Sequence, residues 1–207
     1  MQNRSQSDAY DTPLSRIIFQ SLAKKDGQKM RFDEFMDLAL YHPQHGYYAS
    51  TIGTKIGREG DFFTSVSVGD TFGLILSYAI ERAWNRLPLE TGTPPVIVEQ
   101  GAHDGQLALD ILRAFRERNP DFLNQLKYCL VERKNRRELV PELEEFQDQI
   151  CQVTSLDKVR ERSGIFLANE LLDAFPVRRF ILHSGEWREQ CVGSDQDGEN
   201  LDWVTAA

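Results

Sequence analysis

The amino-acid sequence predicts an α/β fold with a mostly parallel, right-handed sheet, and two observations support this. First, four short apolar runs alternate with segments of helical periodicity. The runs span residues 96–98, 128–131, 150–153 and 165–168. Second, the first run leads through Gly101 and Gly105 directly into an amphipathic helix pattern. Strands that alternate with helices in this way form parallel sheets with right-handed connections.

The remaining elements follow from local signals on both sides of this pattern. Thr12 and Pro13 predict the start of a helix, and further helices are expected near residues 32–39 and 68–84. Residues 177–182 and 187–192 flank a turn and predict a hairpin outside the alternating pattern. The Gly- and Pro-containing linker at 91–95 predicts two parts. We expect a helical N-terminal region over residues 1–93 and a partial α/β domain over residues 94–207.

Composition excludes several classes of protein. The 207-residue chain is 41% hydrophobic and 27% charged, as in ordinary globular proteins. Its net charge of −8 argues against a nucleic-acid partner, which calls for a basic face. A membrane span needs about 18 consecutive apolar residues, and no such run is present. The polar N-terminus lacks the features of a targeting segment.

The cysteines and histidines carry two further expectations. Cys129, Cys151 and Cys191 are widely spaced and odd in number, so we expect reduced core thiols in a cytoplasmic protein. His42 and His45 have the spacing of a ligand pair, but no third ligand is near in the sequence. We therefore expect a packed turn at this position, and no metal.

The segment after the first strand has the form of a nucleotide-binding turn. A strand, a glycine turn and a helix offer the free N–H groups of the helix N-terminus to a ligand. Glu99, at the end of the strand, is placed to meet a polar group of that ligand. The alternative is a tight strand-to-helix turn that binds nothing.

The spacing of the glycines separates the possible ligands. A dinucleotide fingerprint that starts at Gly101 requires glycine at two positions that hold His103 and Gln106. The order Glu99, Gly101, Gly105 is instead similar to the S-adenosylmethionine loop with its middle glycine replaced. Glu132, at the tip of the second strand, suits the two hydroxyls of a ribose.

Three further segments carry a family resemblance. They are ALYHPQHGYYA at 39–49, GDFFTS at 60–65 with Phe72 and Gly73 after it, and ANELLDAFPV at 168–177. Together with the glycine loop they resemble the MidA-like methyltransferase family from about residue 12 to about residue 193. Its mitochondrial members are arginine methyltransferases that assist the assembly of respiratory complex I. The resemblance implies a Rossmann-like class I methyltransferase core, S-adenosyl-L-methionine as the cofactor and a protein substrate.

The resemblance also implies roles for individual residues. The positions that match the family's cofactor site are Glu99, Gly101, Gly105 and Glu132. The imidazole of His103 lies in the same loop and is expected to lie close to the cofactor. The matching loop over the cofactor contributes Gly60, Asp61, Phe63, Thr64 and Ser65. Asn169, Glu170 and Asp173 match the catalytic motif beside the methyl group. Glu170 and Asp173 are suited to grip a guanidinium and to take its proton, although Asp173 is also suited to a purely structural place at a helix N-terminus.

Two departures from the family pattern are evident. His103 and Asp104 stand where the family usually has glycine and arginine, so we expect a narrower pocket or an altered affinity. A class I sheet has seven strands, whereas this chain supplies four, in the expected order 3-2-1-4, and a hairpin. The chain therefore looks like a C-terminally truncated member of the family. The strand at 165–168 is then an exposed apolar edge, and a second copy or a partner is expected to cover it.

The favoured hypothesis is an S-adenosylmethionine-dependent protein methyltransferase with an arginine side chain as the acceptor, in a substrate such as a respiratory complex subunit. The alternative is a non-catalytic binding or assembly module with the same fold, inactive because of the altered loop and the missing C-terminal half. A nucleotide-dependent oxidoreductase is disfavoured by the missing glycines. The expected location is cytoplasmic, with mitochondria as the alternative for a eukaryotic protein.

Overall fold

A computed structural model describes residues 12–48, 69–88, 92–132, 139–160, 163–195 and 200–206. These residues form two compact units. The first unit comprises the described residues within Met1–Lys55 and Ala174–Ala207, and the second those within Ile56–Asp173.

The second unit is built on a parallel four-stranded sheet. Its strands are β2 (Val96–Gln100), β3 (Lys127–Val131), β4 (Ile150–Val153) and β5 (Ile165–Leu167). They lie in the order β4-β3-β2-β5. When the four strands are counted from β2 as the first, this is the predicted order 3-2-1-4. β2 therefore has a neighbour on each side, and its carboxyl end lies at the point where the strand order reverses. In open α/β sheets such a point is where ligands bind.

Helices of the second unit pack on this sheet through apolar faces. They are α3 (Thr71–Trp84), α4 (Gln106–Arg118) and α5 (Pro120–Gln125). α4 contributes the largest share of the core, because eight of its 13 residues are buried: Leu107, Ala108, Leu109, Asp110, Ile111, Leu112, Ala114 and Phe115. Tyr128 and Leu130 of β3 lie in the same cluster.

The packing of α3 against α4 differs from the predicted division at residue 93. A Cβ atom on Gly73 would lie 2.4 Å from Cβ of Asp110, so the two helix backbones approach closely at this point. Nε of Arg118 donates to Oγ of Ser77 at 3.0 Å, and the Arg118 guanidinium also pairs with Glu81. These contacts group α3 with the parallel sheet. The linker at 91–95 predicts a boundary at this point. The hydrophobic periodicity of α3 shows which of its faces is apolar, but it does not show that α4 packs against that face.

A second difference concerns the segment between β3 and β4. The sequence predicts an α-helix over residues 135–148, whereas the described part contains a tighter 3-10 helix at Pro141–Phe146. Pro141 begins it because proline has no N–H to donate and its φ is already helical. Leu143 and Phe146 are buried, which preserves the predicted apolar face.

The first unit combines two helices with an antiparallel sheet. It contains α1 (Pro13–Ala23), β1 (Lys29–Arg31), α2 (Phe32–Tyr41), β6 (Arg179–His183), β7 (Glu186–Ser194) and β8 (Leu201–Thr205). The predicted hairpin is confirmed as β6 and β7, and the predicted helix start is confirmed because Oγ1 of Thr12 accepts the N–H of Ser15 at 3.1 Å. β1 and β8 also pair with β7. Ile18, Leu22, Met30 and Val192 form the core of this unit.

The cysteines correct the expectation of three reduced thiols. In the β3–β4 register Cys129 lies opposite Cys151, their Cα atoms are 4.8 Å apart, and the two form a disulfide. Cys191 is free and buried. The pair is 22 residues apart in the chain, and sequence spacing does not reveal that adjacent parallel strands bring the two together.

A membrane-spanning helix and a metal-binding cluster are both absent from the described residues. Within this part of the chain, no helix combines the length and the apolar character needed to cross a membrane. The same residues contain no cluster of three His, Cys, Asp or Glu side chains arranged for a metal. His42 and His45 stack with ring centroids 5.4 Å apart, and Nδ1 of His42 accepts the backbone N–H of His45 at 3.3 Å.

Candidate functional site

The glycine loop joins the end of β2 to the start of α4, and two of its positions require glycine. Gly101 and Gly105 have φ of +76° and +81°, in the left-handed region. A Cβ atom on Gly101 would lie 2.8 Å from Cδ1 of Leu171, and one on Gly105 would lie 2.5 Å from Cδ1 of Leu143. The absence of side chains at these points lets Leu171 and Leu143 pack directly against the loop.

Hydrogen bonds hold the loop against its surroundings. The N–H of Gly101 donates to the carbonyl of Val131 at 2.9 Å, which ties the loop to the end of β3. The N–H of Gly105 donates to the carbonyl of Ala102 at 2.8 Å. Oδ1 of Asp104 accepts the N–H of Gln106 at 3.2 Å, in the first turn of α4. The loop is therefore fixed in place before any ligand binds.

Glu132 lies beside this loop, as the sequence predicts for a ribose partner. Its Oε2 accepts the backbone N–H of His103 at 3.3 Å. His103 has φ of +52°, an uncommon value for a residue other than glycine. Nδ1 of the imidazole lies 3.3 Å from Oδ1 of Asp104. At the position of the family's middle glycine, His103 thus has a backbone conformation that glycine would adopt with less strain.

Glu99 is buried at the end of β2, with 3% of its surface exposed. Burial raises the pKa of its carboxyl to about 7; the hydrogen bond from Tyr128 lowers that pKa and the charge of Asp104 raises it. The hydroxyl of Tyr128 donates to Oε2 of Glu99 at 2.8 Å. The carboxyl therefore changes charge near neutral pH.

Sequence reasoning missed Tyr128, although a signal was present. A tyrosine inside the apolar run at 128–131 is expected to have a hydrogen-bond partner for its hydroxyl. The partner is the carboxylate of the neighbouring strand. Finding it required the β2–β3 register, which places Tyr128 opposite Ile97, two residues before Glu99.

The predicted catalytic motif follows β5, next to the glycine loop. Leu167 lies opposite Glu99 in the β2–β5 register, so the chain leaves both strands at the same edge of the sheet. Asn169 is half-buried, while Glu170 and Asp173 are exposed. Glu170 has φ of +47°. The closeness of Gly101 to Leu171 brings the loop and the motif together.

The sequence also predicts a loop over the cofactor. Gly60, Asp61, Phe63, Thr64 and Ser65 lie outside the described residues.

Carboxylates surround the glycine loop. Besides Glu99, Asp104 and Glu132, Asp110 is 6% exposed on α4 and accepts a hydrogen bond from Nε2 of Gln106 at 2.7 Å. Burial raises the pKa of the Asp110 carboxyl. An acidic environment of this kind favours a cationic ligand over a phosphate.

Curated relatives resemble the chain at modest identity. It is 28% identical over 226 residues to the mitochondrial protein arginine methyltransferase NDUFAF7 of Mus musculus, covering 94% of this chain and 49% of the relative. It is 27% identical over 184 residues to the Drosophila melanogaster homologue, covering 77% of this chain and 40% of the relative. The chain spans less than half the length of these two relatives.

Solved structures show the same fold. A likely methyltransferase from Burkholderia thailandensis, bound to S-adenosyl-homocysteine, superposes with a TM-score of 0.76 at 22% identity. This chain is covered completely, and that chain over 52% of its length. Another structure of a protein of the same superfamily from that organism gives a TM-score of 0.71. The predicted Rossmann-like core is thereby confirmed.

The match to a family model covers more than half of the chain. The model describes a putative S-adenosyl-L-methionine-dependent methyltransferase and matches residues 76–207, from within α3 to the last residue. On this match, the chain belongs to that methyltransferase family.

Proposed function

We propose that the chain binds S-adenosyl-L-methionine at the loop between β2 and α4 and transfers its methyl group to an arginine side chain of a protein. The observation that carries this proposal is the placement of the Glu132 carboxylate beside the glycine loop, at the carboxyl end of β2, where the strand order of the sheet reverses. The Glu132 carboxylate lies 3.3 Å from the His103 amide. Glycine at positions 101 and 105 lets Leu171 and Leu143 pack against this loop.

The residues of the loop suit this cofactor. Glu132 offers a carboxylate that accepts two hydroxyl hydrogen bonds from a ribose. The carboxylates around the loop suit the positive charges of the sulfonium and amino groups. When bound, the cofactor would supply a methyl group on a sulfonium sulfur; the acceptor nitrogen would bond to the methyl carbon in line with the breaking carbon–sulfur bond, and S-adenosyl-homocysteine would leave. Alignment and exclusion of water then provide most of the acceleration.

The segment after β5 is proposed to hold the acceptor. Glu170 and Asp173 are carboxylates that grip a guanidinium with paired hydrogen bonds, and Glu170 takes the proton that the nitrogen must lose. Asn169 orients the same group. Support comes from the left-handed backbone of Glu170, because such conformations persist where their surroundings enforce them and cluster at functional sites. The names of the curated relatives support arginine as the acceptor.

Calorimetric titration with S-adenosyl-L-methionine and with S-adenosyl-homocysteine tests the cofactor. We expect saturable binding that is lost in Gly101→Ala, because the new Cβ would displace Leu171. Gly92→Ala is the matched control, since Gly92 has φ of +85° and open space around its Cβ position. A folded protein that binds neither ligand would support the non-catalytic module. Binding of a nicotinamide dinucleotide instead would contradict both hypotheses.

A transfer assay tests the acceptor site. Glu170→Gln is expected to keep cofactor binding and lose methyl transfer to arginine-containing protein, whereas the exposed Glu186→Gln keeps both. Unchanged turnover in Glu170→Gln would remove this residue from the mechanism.

Substrate and location are proposed from the relatives. The family resemblance makes a respiratory complex subunit the first protein substrate to test. Mitochondria are the location to test if the source is eukaryotic, since the curated relatives are named as mitochondrial. The cytoplasmic location stays a prediction. Fractionation of the source cells followed by immunodetection decides between the two.

We also propose that a second copy of the chain or a partner protein covers β5, the edge strand of the parallel sheet. Among the described strands β5 pairs with β2 alone, and Phe166 is 57% exposed. Light scattering of the purified protein tests whether a second copy provides this cover, with Phe166→Lys expected to abolish a dimer.

A further inference from the structure

Tyr128 is a completely buried tyrosine that reaches diagonally across the sheet. It lies on β3 opposite Ile97 of β2, while its hydroxyl donates to Oε2 of Glu99 at 2.8 Å. None of its surface is exposed. The bond thus runs toward the carboxyl end of β2, where the glycine loop begins. A phenylalanine would fill the same space but would not supply this hydrogen bond.

Among the described residues, Tyr128 and Asp104 are the groups that act on the carboxyl of Glu99. Only 3% of the residue is exposed, and a buried carboxylate needs hydrogen bonds to remain charged. Within the described part of the chain, Tyr128 supplies its hydrogen bond from β3. The charge of Asp104 in the loop opposes ionisation of Glu99. No titratable side chain lies on β5, the other neighbour of β2.

We infer that Tyr128 is a positioning residue for the cofactor. Its hydroxyl fixes Oε2 of Glu99 within the sheet and leaves Oε1 as the acceptor for the cationic end of the ligand. The inference rests on the proposed function, because it assigns the orientation and charge of a carboxylate at that same site. Tyr128 touches Glu99 and not the reacting atoms, so it acts through Glu99.

Removing the hydroxyl has a defined electrostatic consequence. In Tyr128→Phe the ring still fills the core, while the carboxylate loses a hydrogen bond that favours its charged form. The pKa of Glu99, already raised by burial to about 7, then rises further. A neutral carboxyl attracts a cation less, so binding at neutral pH weakens by about tenfold, as for loss of a hydrogen bond to a charged group.

The first experiment measures the carboxyl directly, without cofactor. Carbon-13 NMR of protein labelled at glutamate carboxyls follows the titration, and the signal missing in Glu99→Gln identifies Glu99. We expect a midpoint near pH 7 in the natural protein, a higher one in Tyr128→Phe and no change in Tyr78→Phe. Tyr78 is a suitable control because it is 58% exposed on α3. An unchanged or lower midpoint in Tyr128→Phe would overturn the inference.

The second experiment measures S-adenosyl-L-methionine affinity from about pH 6 to pH 9. In the natural protein affinity should rise through about pH 7, and in Tyr128→Phe this rise should move to higher pH. Equal loss of affinity at every pH would indicate a merely structural role and overturn the inference. If Tyr128→Phe does not fold, Glu99→Gln replaces it, and there the pH dependence should vanish; its persistence would contradict the role of Glu99.

The two experiments separate this inference from the proposed function. Absence of cofactor binding by the natural protein at any pH would refute the proposed function and with it the positioning of a cofactor. The carboxyl titration would still show whether Tyr128 controls the charge of Glu99. Normal binding together with an unshifted titration would refute only the inference.

Discussion

The backbone N–H of His103 donates to Oε2 of Glu132 at 3.3 Å, so the glycine loop and the carboxylate after β3 are joined directly. The carboxylate thus has one oxygen engaged by the loop while it lies where a ribose is proposed to bind. Its charge and its hydrogen-bonding capacity can be separated by mutation.

Glu132→Gln removes the charge and keeps an oxygen that accepts the His103 N–H. We expect the free energy of unfolding to change by less than about 1 kcal/mol, because an amide still accepts this bond. Affinity for S-adenosyl-homocysteine should fall by about tenfold, since hydrogen bonds to a charged acceptor are the stronger ones. Calorimetry and urea unfolding measure the two quantities. Glu142→Gln, on an exposed position of the segment between β3 and β4, should leave both unchanged.

Gly105→Ala is expected to destabilise the protein by about 2 kcal/mol or more, from left-handed strain and overpacking together. The new Cβ would lie 2.5 Å from Cδ1 of Leu143, and φ is +81°. Gly185→Ala is the control, because Gly185 has φ of +83° and open space, so only the strain of about 1 kcal/mol remains. Urea unfolding measures both. Equal losses in the two variants would show that the contact with Leu143 contributes nothing.

His103→Gly tests the replaced glycine. His103 holds φ of +52°, and the left-handed region costs a residue with a Cβ about 1 kcal/mol or more, which glycine avoids. The greater freedom of glycine in the unfolded chain costs about 0.5–1 kcal/mol in the other direction. Thermal unfolding should therefore show no loss of stability, and cofactor affinity should be equal or higher. A clear loss of affinity would show that the imidazole itself contacts the ligand.

The pKa of Glu99 makes stability depend on pH. The folded protein raises this pKa from the ordinary 4.5 to about 7, so the carboxyl is favoured in its neutral form. Its contribution to stability is complete below about pH 4.5 and is lost as pH rises to about 7. The loss is of the order of 3 kcal/mol. Urea unfolding at several pH values should show Glu99→Gln gaining on the natural protein as pH rises, and parallel profiles would contradict this.

Much of the fold was predictable from the sequence. The four apolar runs and the hairpin appear where periodicity placed them, because burial of one strand face or both faces leaves a direct trace in the sequence. β1 and β8 were not predicted, since Lys29–Arg31 is short and polar and becomes a strand only by pairing with β7. Such a strand is defined by its partner and not by its own residues.

The site was predictable in its types of residue but not in its contacts. The spacing of Glu99, Gly101, Gly105 and Glu132 at strand ends predicts their proximity, because ligands bind at the carboxyl ends of strands in open α/β sheets; their roles stay predictions. The Cys129–Cys151 bond and the bond from Tyr128 depend on register between strands distant in sequence. Register follows from the packing of the whole sheet, and one sequence does not specify it.

The missing side chain of Gly101 has a consequence for how the site is assembled. Leu171 occupies the space that a Cβ would take, and the chain immediately before it carries Glu170. The loop proposed to hold the cofactor is thus also the surface on which the acceptor segment rests. A substitution at Gly101 will disturb both functions together, while Glu132 and Glu170 report on each one alone. The proposed cofactor site and the proposed acceptor site therefore both depend on the contact between Gly101 and Leu171.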